Sequence, residues 1–247
     1  MSEPRDHGRC SVPIVHCHIA FILVIGAAAA TLASTPGGLT AQDGLGRAPH
    51  AHLHTILERT FLRVDVLRLD ICLDSSAAAR VDRLLEHGRS RASDDSIAHV
   101  IVNAAQVLGR IRFLRNVGFG QFLDGVAEDQ QKAVHAGWLP DSTFLAIRAG
   151  LPEWFAFLEN RDIRKDDEIV YHLPAGQVQS TYVDPRGDVL MQRTDAGYWR
   201  RASVLVTWLA PGSNFRNGLL DSLRRAEADE HIAHVCRAPP SNDRDRP

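Results

Sequence analysis

Residues 58–74, ERTFLRVDVLRLDICLD, carry two runs of alternation with opposite phase. Leu62, Val64 and Val66 alternate with Arg63 and Asp65. Leu67, Leu69, Ile71 and Leu73 then alternate with Arg68, Asp70 and Cys72. Successive side chains of a strand point to opposite faces, so each run reads as a half-buried strand. A one-residue change of phase would carry the apolar set to the other face. The sequence therefore predicts a bulge or sharp bend at Val66-Leu67.

The rest of the chain arranges itself around that segment. Residues 77–87 are helical in composition and stop at Gly88, and 89–95 form a charged loop. Asp95 or Ser96 is expected to cap the next helix, with Ile97, Val100, Ile101, Ala104 and Leu108 at helical spacing. Ile111, Phe113, Arg115 and Val117 alternate as a strand, and a helix follows near 119–137, with Phe122, Val126, Ala133 and Val134 on its inward stripe. Asp141 or Ser142 caps a further helix that Pro152 should kink or break. Three strands, 168–173, 177–184 and 188–193, are separated by Pro174-Ala175-Gly176 and Pro185-Arg186-Gly187 turns. Asp195 caps a helix over 197–209 and Asn214 one over 215–225. Strands and helices cluster without strict alternation. That pattern predicts an α+β domain, with helices packed on an antiparallel sheet.

The front of the chain reads as an export signal. Arg5, His7 and Arg9 precede the apolar run 19–33, IAFILVIGAAAATLA, which has the length of a signal-peptide core and is short for a span. Pro36-Gly37-Gly38 ends it, and cleavage is expected after Ala41, with Ala33 as the second choice. An uncleaved N-terminal membrane anchor is the other reading. The division is then 1–41 signal peptide, 42–56 linker, 57–226 domain and 227–247 polar C-terminal tail, with the mature chain periplasmic or extracellular. Cys10 and Cys17 leave with the signal. A Cys72–Cys236 disulfide is permitted outside the cytosol, and two unpaired thiols are the alternative.

Several strings in this order resemble the chalcone isomerase-like family: FLRVDVLRLDICLD, then IRFLRNV followed by FGQFLDGVAEDQ, then RKDDEIVYHLPAGQVQSTYVDPRGDVL, and VTWLAPGSNFRNGLLDSL. The resemblance runs from Leu57 to Leu223. It implies an open-faced β-sandwich, an antiparallel sheet covered by a helical layer, with an apolar cleft between them. The family's isomerases use a tyrosine, a threonine and an asparagine as side-chain donors around the reacting group. Those positions fall here on Phe122, near Leu67 and near Asp129. Phenylalanine and leucine donate no hydrogen bond, so the resemblance carries the fold without the isomerase site. Relatives that bind fatty acids hold the carboxylate with an arginine and a tyrosine. Arg115, in phase with Ile111, Phe113 and Val117, is the first candidate for such a clamp. Arg112 and Phe122 are the other ligand-binding candidates, while Arg63 and Arg68 read as members of a solvated face.

Other chemistries are weakly supported. A net charge of −2 provides no field for nucleic acid. His50, His52 and His54 alternate in a segment read as exposed, and Glu227, Glu230, His231 and His234 lack the HExxH spacing, so no metal site is assigned. Gly118-Phe119-Gly120 lacks the third glycine of a dinucleotide loop, and Asp166, Asp167 and Glu168 read as a turn. No cofactor is expected, and membrane contact is expected only through the N-terminal segment. Three functions follow as expectations: an exported binder of a fatty acid or another small hydrophobic ligand, a protein-interaction or assembly factor, and an intramolecular lyase with relocated catalytic groups.

Overall fold

The computed structural model describes residues 51–59, 64–86, 88, 90–225 and Cys236. The segment read as an export signal and most of the polar tail lie outside the described residues. The described chain forms a six-stranded antiparallel sheet in sequential order, β1 (His52–Arg59), β2 (Val64–Leu73), β3 (Gln106–Phe113), β4 (Glu168–Pro174), β5 (Gln177–Val183) and β6 (Val189–Ala196). Helices α1 (Ser75–Leu85) and α2 (Arg91–Val102) connect β2 to β3. Helices α3 (Phe119–His135) and α4 (Asp141–Trp154) connect β3 to β4, and α5 (Tyr198–Leu209) and α6 (Arg216–Arg225) follow β6. This is an α+β architecture, an open antiparallel sheet with helices, as the clustering of elements predicts.

The phase change has the structural consequence expected of it. Leu57 pairs with Leu67 and Glu58 with Asp65, so Val66 is the extra residue of a bulge in β2. Beyond it, Leu67, Leu69, Ile71 and Leu73 are all buried on one face. Across the sheet, Leu69, Ile111, Ile169, Tyr182 and Met191 form one inward row, and Ile71, Gly109, Tyr171, Ser180 and Arg193 the next. Every helix adds buried side chains to the core on this face, among them Val81, Ile101, Phe122, Ile147, Leu205 and Leu219. The opposite face carries a small cluster of Cys72, Leu108 and Val170, joined by Cys236 through a Cys72–Cys236 disulfide.

Two glycines set how closely the layers approach. A Cβ on Gly109 would lie 2.6 Å from the Trp208 ring, and one on Gly218 would lie 2.0 Å from Thr55 Oγ1 and 2.9 Å from Thr55 Cβ. Two buried arginines tie the helices together. Arg201 donates to the carbonyls of Leu173 (3.1 Å), Val102 (2.6 Å) and Ala104 (2.6 Å), at the C-terminal end of α2 where unpaired carbonyls favour a cation. Arg216 donates to Asp95 at 2.6 Å and to the Leu209 carbonyl.

Several element boundaries differ from the sequence expectations. The segment read as a linker contains most of β1, whose single-phase HLHTILER pattern pairs with β2 along its whole length. Helix α2 starts four residues before Asp95, because Ser90 and Ser93 form a reciprocal capping box. It also ends at Val102, and the apolar run that looked helical through Leu108 is the start of β3. Pro140, not Asp141 or Ser142, precedes α4, and Pro152 sits in its last turn without breaking it. Asp195 does not cap α5: it belongs to β6, and Gly197, at φ 127°, makes the corner. Asn214 is not at the cap position of α6: the helix begins at Arg216, so Phe215 precedes it, and the Asn214 N–H donates to Asp129 at 3.2 Å.

Gly218→Ala tests the close approach of α6 to β1. In an open helix this change stabilises by about 1 kcal/mol. Here the overpacking against Thr55, worth about 1–3 kcal/mol, is expected to win. Urea unfolding should show a lower midpoint for Gly218→Ala, and an unchanged or higher midpoint would contradict the packing.

Candidate functional site

Two adjoining cavities lie between the sheet and the helices. The larger, about 390 Å³, is bounded by β2, β3, α3 and α5 through Leu67, Phe113, Val126, Trp208 and Phe215, with Arg115, Asn116 and Asp124 among its lining residues. The smaller, about 90 Å³, lies between β4–β6, α4 and α5, bounded by Leu151, Trp154, Tyr171, Val178, Met191 and Val204. Ile111, Phe122, Val126, Thr207 and Trp208 border both. Ser180 lines the smaller cavity, and the Trp208 ring, seated on Gly109, borders both.

The candidate residues separate clearly. Arg115 lies just beyond β3, exposed, and lines the larger cavity. It has no ion-pair or hydrogen-bond partner among the described residues. Phe122 is 9% exposed and stands edge-on to Phe113 and Phe155, with centroids at 6.1 and 5.1 Å. Arg112 is not brought to either cavity. It has the parity of Leu108 and Arg110, and so projects from the opposite face, where it donates to Asp166 at 2.8 Å. Alternation counted from Phe113 decides this: positions 111 and 113 face the helices, so 112 faces away. Arg68 also lies on that far face and grips Asp70 through Nε and Nη2 at 2.9–3.0 Å. Arg63 lies outside the described residues. Leu67 and Asp129, where the resemblance places two of the isomerase donors, both line the larger cavity with Phe122. Asp129 is occupied, accepting from Lys132 (3.1 Å) and from the Asn214 N–H.

The buried charges elsewhere are structural. Asp70 accepts from His52 at 3.0 Å as well as from Arg68. Burial by itself would raise its pKa, but these two donors outweigh it and hold the carboxyl below the usual range. His52 is thus engaged, and it stacks on His54 at 5.6 Å. Among the described residues, no group of three His, Cys, Asp or Glu side chains is placed to hold a metal ion. Asp167, fully buried, accepts from Arg161 through both oxygens (2.7 Å each), from Tyr182 Oη (2.7 Å) and from the Arg164 N–H (2.7 Å). Edge-on and tilted contacts run from Phe122 through Phe155 and Phe157 to Tyr182, so this carboxylate anchors the aromatic wall of the site.

Sequence reasoning missed the polar lining of the smaller cavity. Gln130 is 3% exposed on α3, and Arg193 and Asp195 face inward from β6. The signal for the β6 pair was its alternation, Met191, Arg193 and Asp195 on one face, in a strand whose other face is exposed. Gln130 carried none, since a helix places polar and apolar residues on adjoining stripes.

Comparison with known proteins gives little beyond this. No family model and no curated protein matches the chain. Among solved structures, the fatty-acid binding protein AtFAP1 of Arabidopsis thaliana aligns at 13% identity and a TM-score of 0.46, covering 70% of this chain and 85% of that one.

Asp167 gives a pH prediction. Burial tends to raise its pKa, but Arg161, Tyr182 and the Arg164 N–H lower it on balance. A carboxylate depressed in the folded state stabilises above its unfolded pKa of about 4, and loses that contribution as pH falls through the folded value. Asp167→Asn should destabilise by about 3 kcal/mol near neutral pH, by leaving Arg161 uncompensated. The same variant should flatten the fall in stability below about pH 4. Urea midpoints across that range decide the matter: equal acid slopes in variant and parent would exclude this role for Asp167.

Proposed function

We propose that the chain is an exported ligand-binding protein of chalcone isomerase-like fold that holds a fatty acid or similar amphipathic molecule in the larger cavity. The observation that carries this reading is the apolar 390 Å³ space with an unpaired guanidinium, Arg115, in its lining. At about 30 Å³ per water, that volume equals roughly thirteen waters, enough for a medium alkyl chain. The walls are Leu67, Phe113, Phe122, Trp208 and Phe215, so desolvating a chain there is favourable, and Arg115 supplies the paired donors a carboxylate needs. Binding, not isomerisation, is the inferred activity: Phe122 and Leu67 have no donor to offer a developing enolate.

Export is part of the proposal. The Cys72–Cys236 disulfide supports an oxidising compartment, and the apolar run at 19–33 supports a signal ahead of it. Among the described residues no helix is long and apolar enough to cross a membrane.

Calorimetric titration with dodecanoate is expected to show one-site binding. Ligand at about a hundred times its Kd should stabilise the fold by about 2.7 kcal/mol. Arg115→Gln should weaken binding by about tenfold, the low end for a charged donor because the residue is exposed. Absence of any heat or thermal shift with the parent protein would remove the fatty-acid reading. 2′-Hydroxychalcone should turn over no faster than in buffer alone. For export, protein recovered from its own host should begin at Gln42 and have the intact mass of the disulfide form. A full-length, fully reduced chain would count against it.

A further inference from the structure

The smaller cavity holds polar groups that a plain alkyl chain leaves unsatisfied. Gln130 Oε1 is buried, with no hydrogen-bond partner, on a side chain 97% removed from solvent. Buried acceptors in folded proteins nearly always have a partner. Tyr171 stands in the same lining, its hydroxyl without a hydrogen-bond partner among the described residues, and burial pushes its pKa up. In the same lining, Arg193 and Arg200 lie over the Trp154 ring at 5.1 and 4.8 Å. They share one carboxylate, Asp195, at 2.9 and 3.9 Å, which leaves one positive charge in excess beside an apolar space.

We propose that this cavity is a second, separate binding site for a small hydroxylated aromatic carboxylate. The carboxylate pairs with Arg193 and Arg200, and the ring lies among Trp154, Phe155 and Trp208. The phenolic hydroxyl satisfies Gln130 and Tyr171. A hydroxyl both donates and accepts, so it serves either orientation of the Gln130 amide. Size selects the ligand class. A cavity of about 150 Å³ encloses one benzene, so the 90 Å³ here takes the hydroxyl end of a single ring, with the carboxylate outside it at the half-exposed arginines, and not a dodecyl chain. Charge selects it too, because two guanidiniums against one carboxylate favour an anion. A bare phosphate would meet the arginines while leaving the interior acceptor and the aromatic walls unused.

The test is titration of the full mature chain with 4-hydroxybenzoate, benzoate and dodecanoate. The parent should bind 4-hydroxybenzoate at least tenfold more tightly than benzoate. The pair Arg193→Gln and Arg200→Gln should weaken 4-hydroxybenzoate at least tenfold. Gln130→Leu should erase its advantage over benzoate, and Tyr171→Phe, which removes only an oxygen, should reduce that advantage even where Gln130→Leu does not fold. Arg115→Gln should leave 4-hydroxybenzoate unchanged while weakening dodecanoate. No binding of 4-hydroxybenzoate by the parent, equal affinity for benzoate, or loss on Arg115→Gln in place of the arginine pair would each overturn the proposal. Dodecanoate reports on the larger cavity independently, so either site can fail without the other.

Discussion

The indole of Trp208 rests where residue 109 has no side chain, and the space inside this protein depends on that contact. Any Cβ at position 109 would meet the ring at 2.6 Å, so the glycine lets α5 settle onto the middle of the sheet. The same ring meets Tyr171 edge-on at 5.6 Å. With Phe122 it forms the boundary shared by the two cavities. A sheet covered by helices has to fill the gap between them with side chains. Here the filling is concentrated in a few aromatic rings, and the volume on either side of them is left for something else.

Around that contact the charged residues divide into two populations. Asp70, Asp129, Asp167, Arg201 and Arg216 are buried, and each is matched by defined partners, an opposite charge or the carbonyls at a helix end. Such groups are costly to leave unpaired, and their partners are both local, as Arg68 is to Asp70 and Arg161 to Asp167, and distant, as Asp95 is to Arg216. Arg115, Arg193 and Arg200 are different. They sit in cavity linings, exposed or half-exposed, and are unpaired or outnumber their carboxylate. That difference, more than the number of charges, separates scaffold from candidate site.

Legibility followed the range of the interactions involved. The bulge at Val66 was readable because a phase change in alternation has few structural solutions, and the meander of β4–β6 because its turns are written in Pro and Gly. The edge strand β1 was hidden. Its HLHTILER pattern is weak by itself, and it is a strand because β2 pairs with it and α6 covers it, with Gly218 against Thr55. The end of α2 was misplaced for a related reason. A short apolar run suits a buried helix or a buried strand equally, and pairing of Val107 with Leu73 and Leu173 selects the strand. Arg112 and Arg115 were both candidates, and the phase that put Arg115 first also separates them: Arg112 projects from the far face of β3, while Arg115, just beyond the strand, lines the larger cavity.

The sequence by itself determined the α+β class, the inward face of each strong strand and the absence of donors at Leu67 and Phe122, because these follow from side-chain period and chemical identity. Only the tertiary structure decided that Cys72 meets Cys236, that Arg201 binds carbonyls at both the end of α2 and β4, and that Gln130, Tyr171, Arg193 and Arg200 line one cavity. Those groupings join residues up to 164 positions apart. No local pattern encodes such pairs. They are decided when the sheet and the helical layer close on each other and bring distant residues into contact.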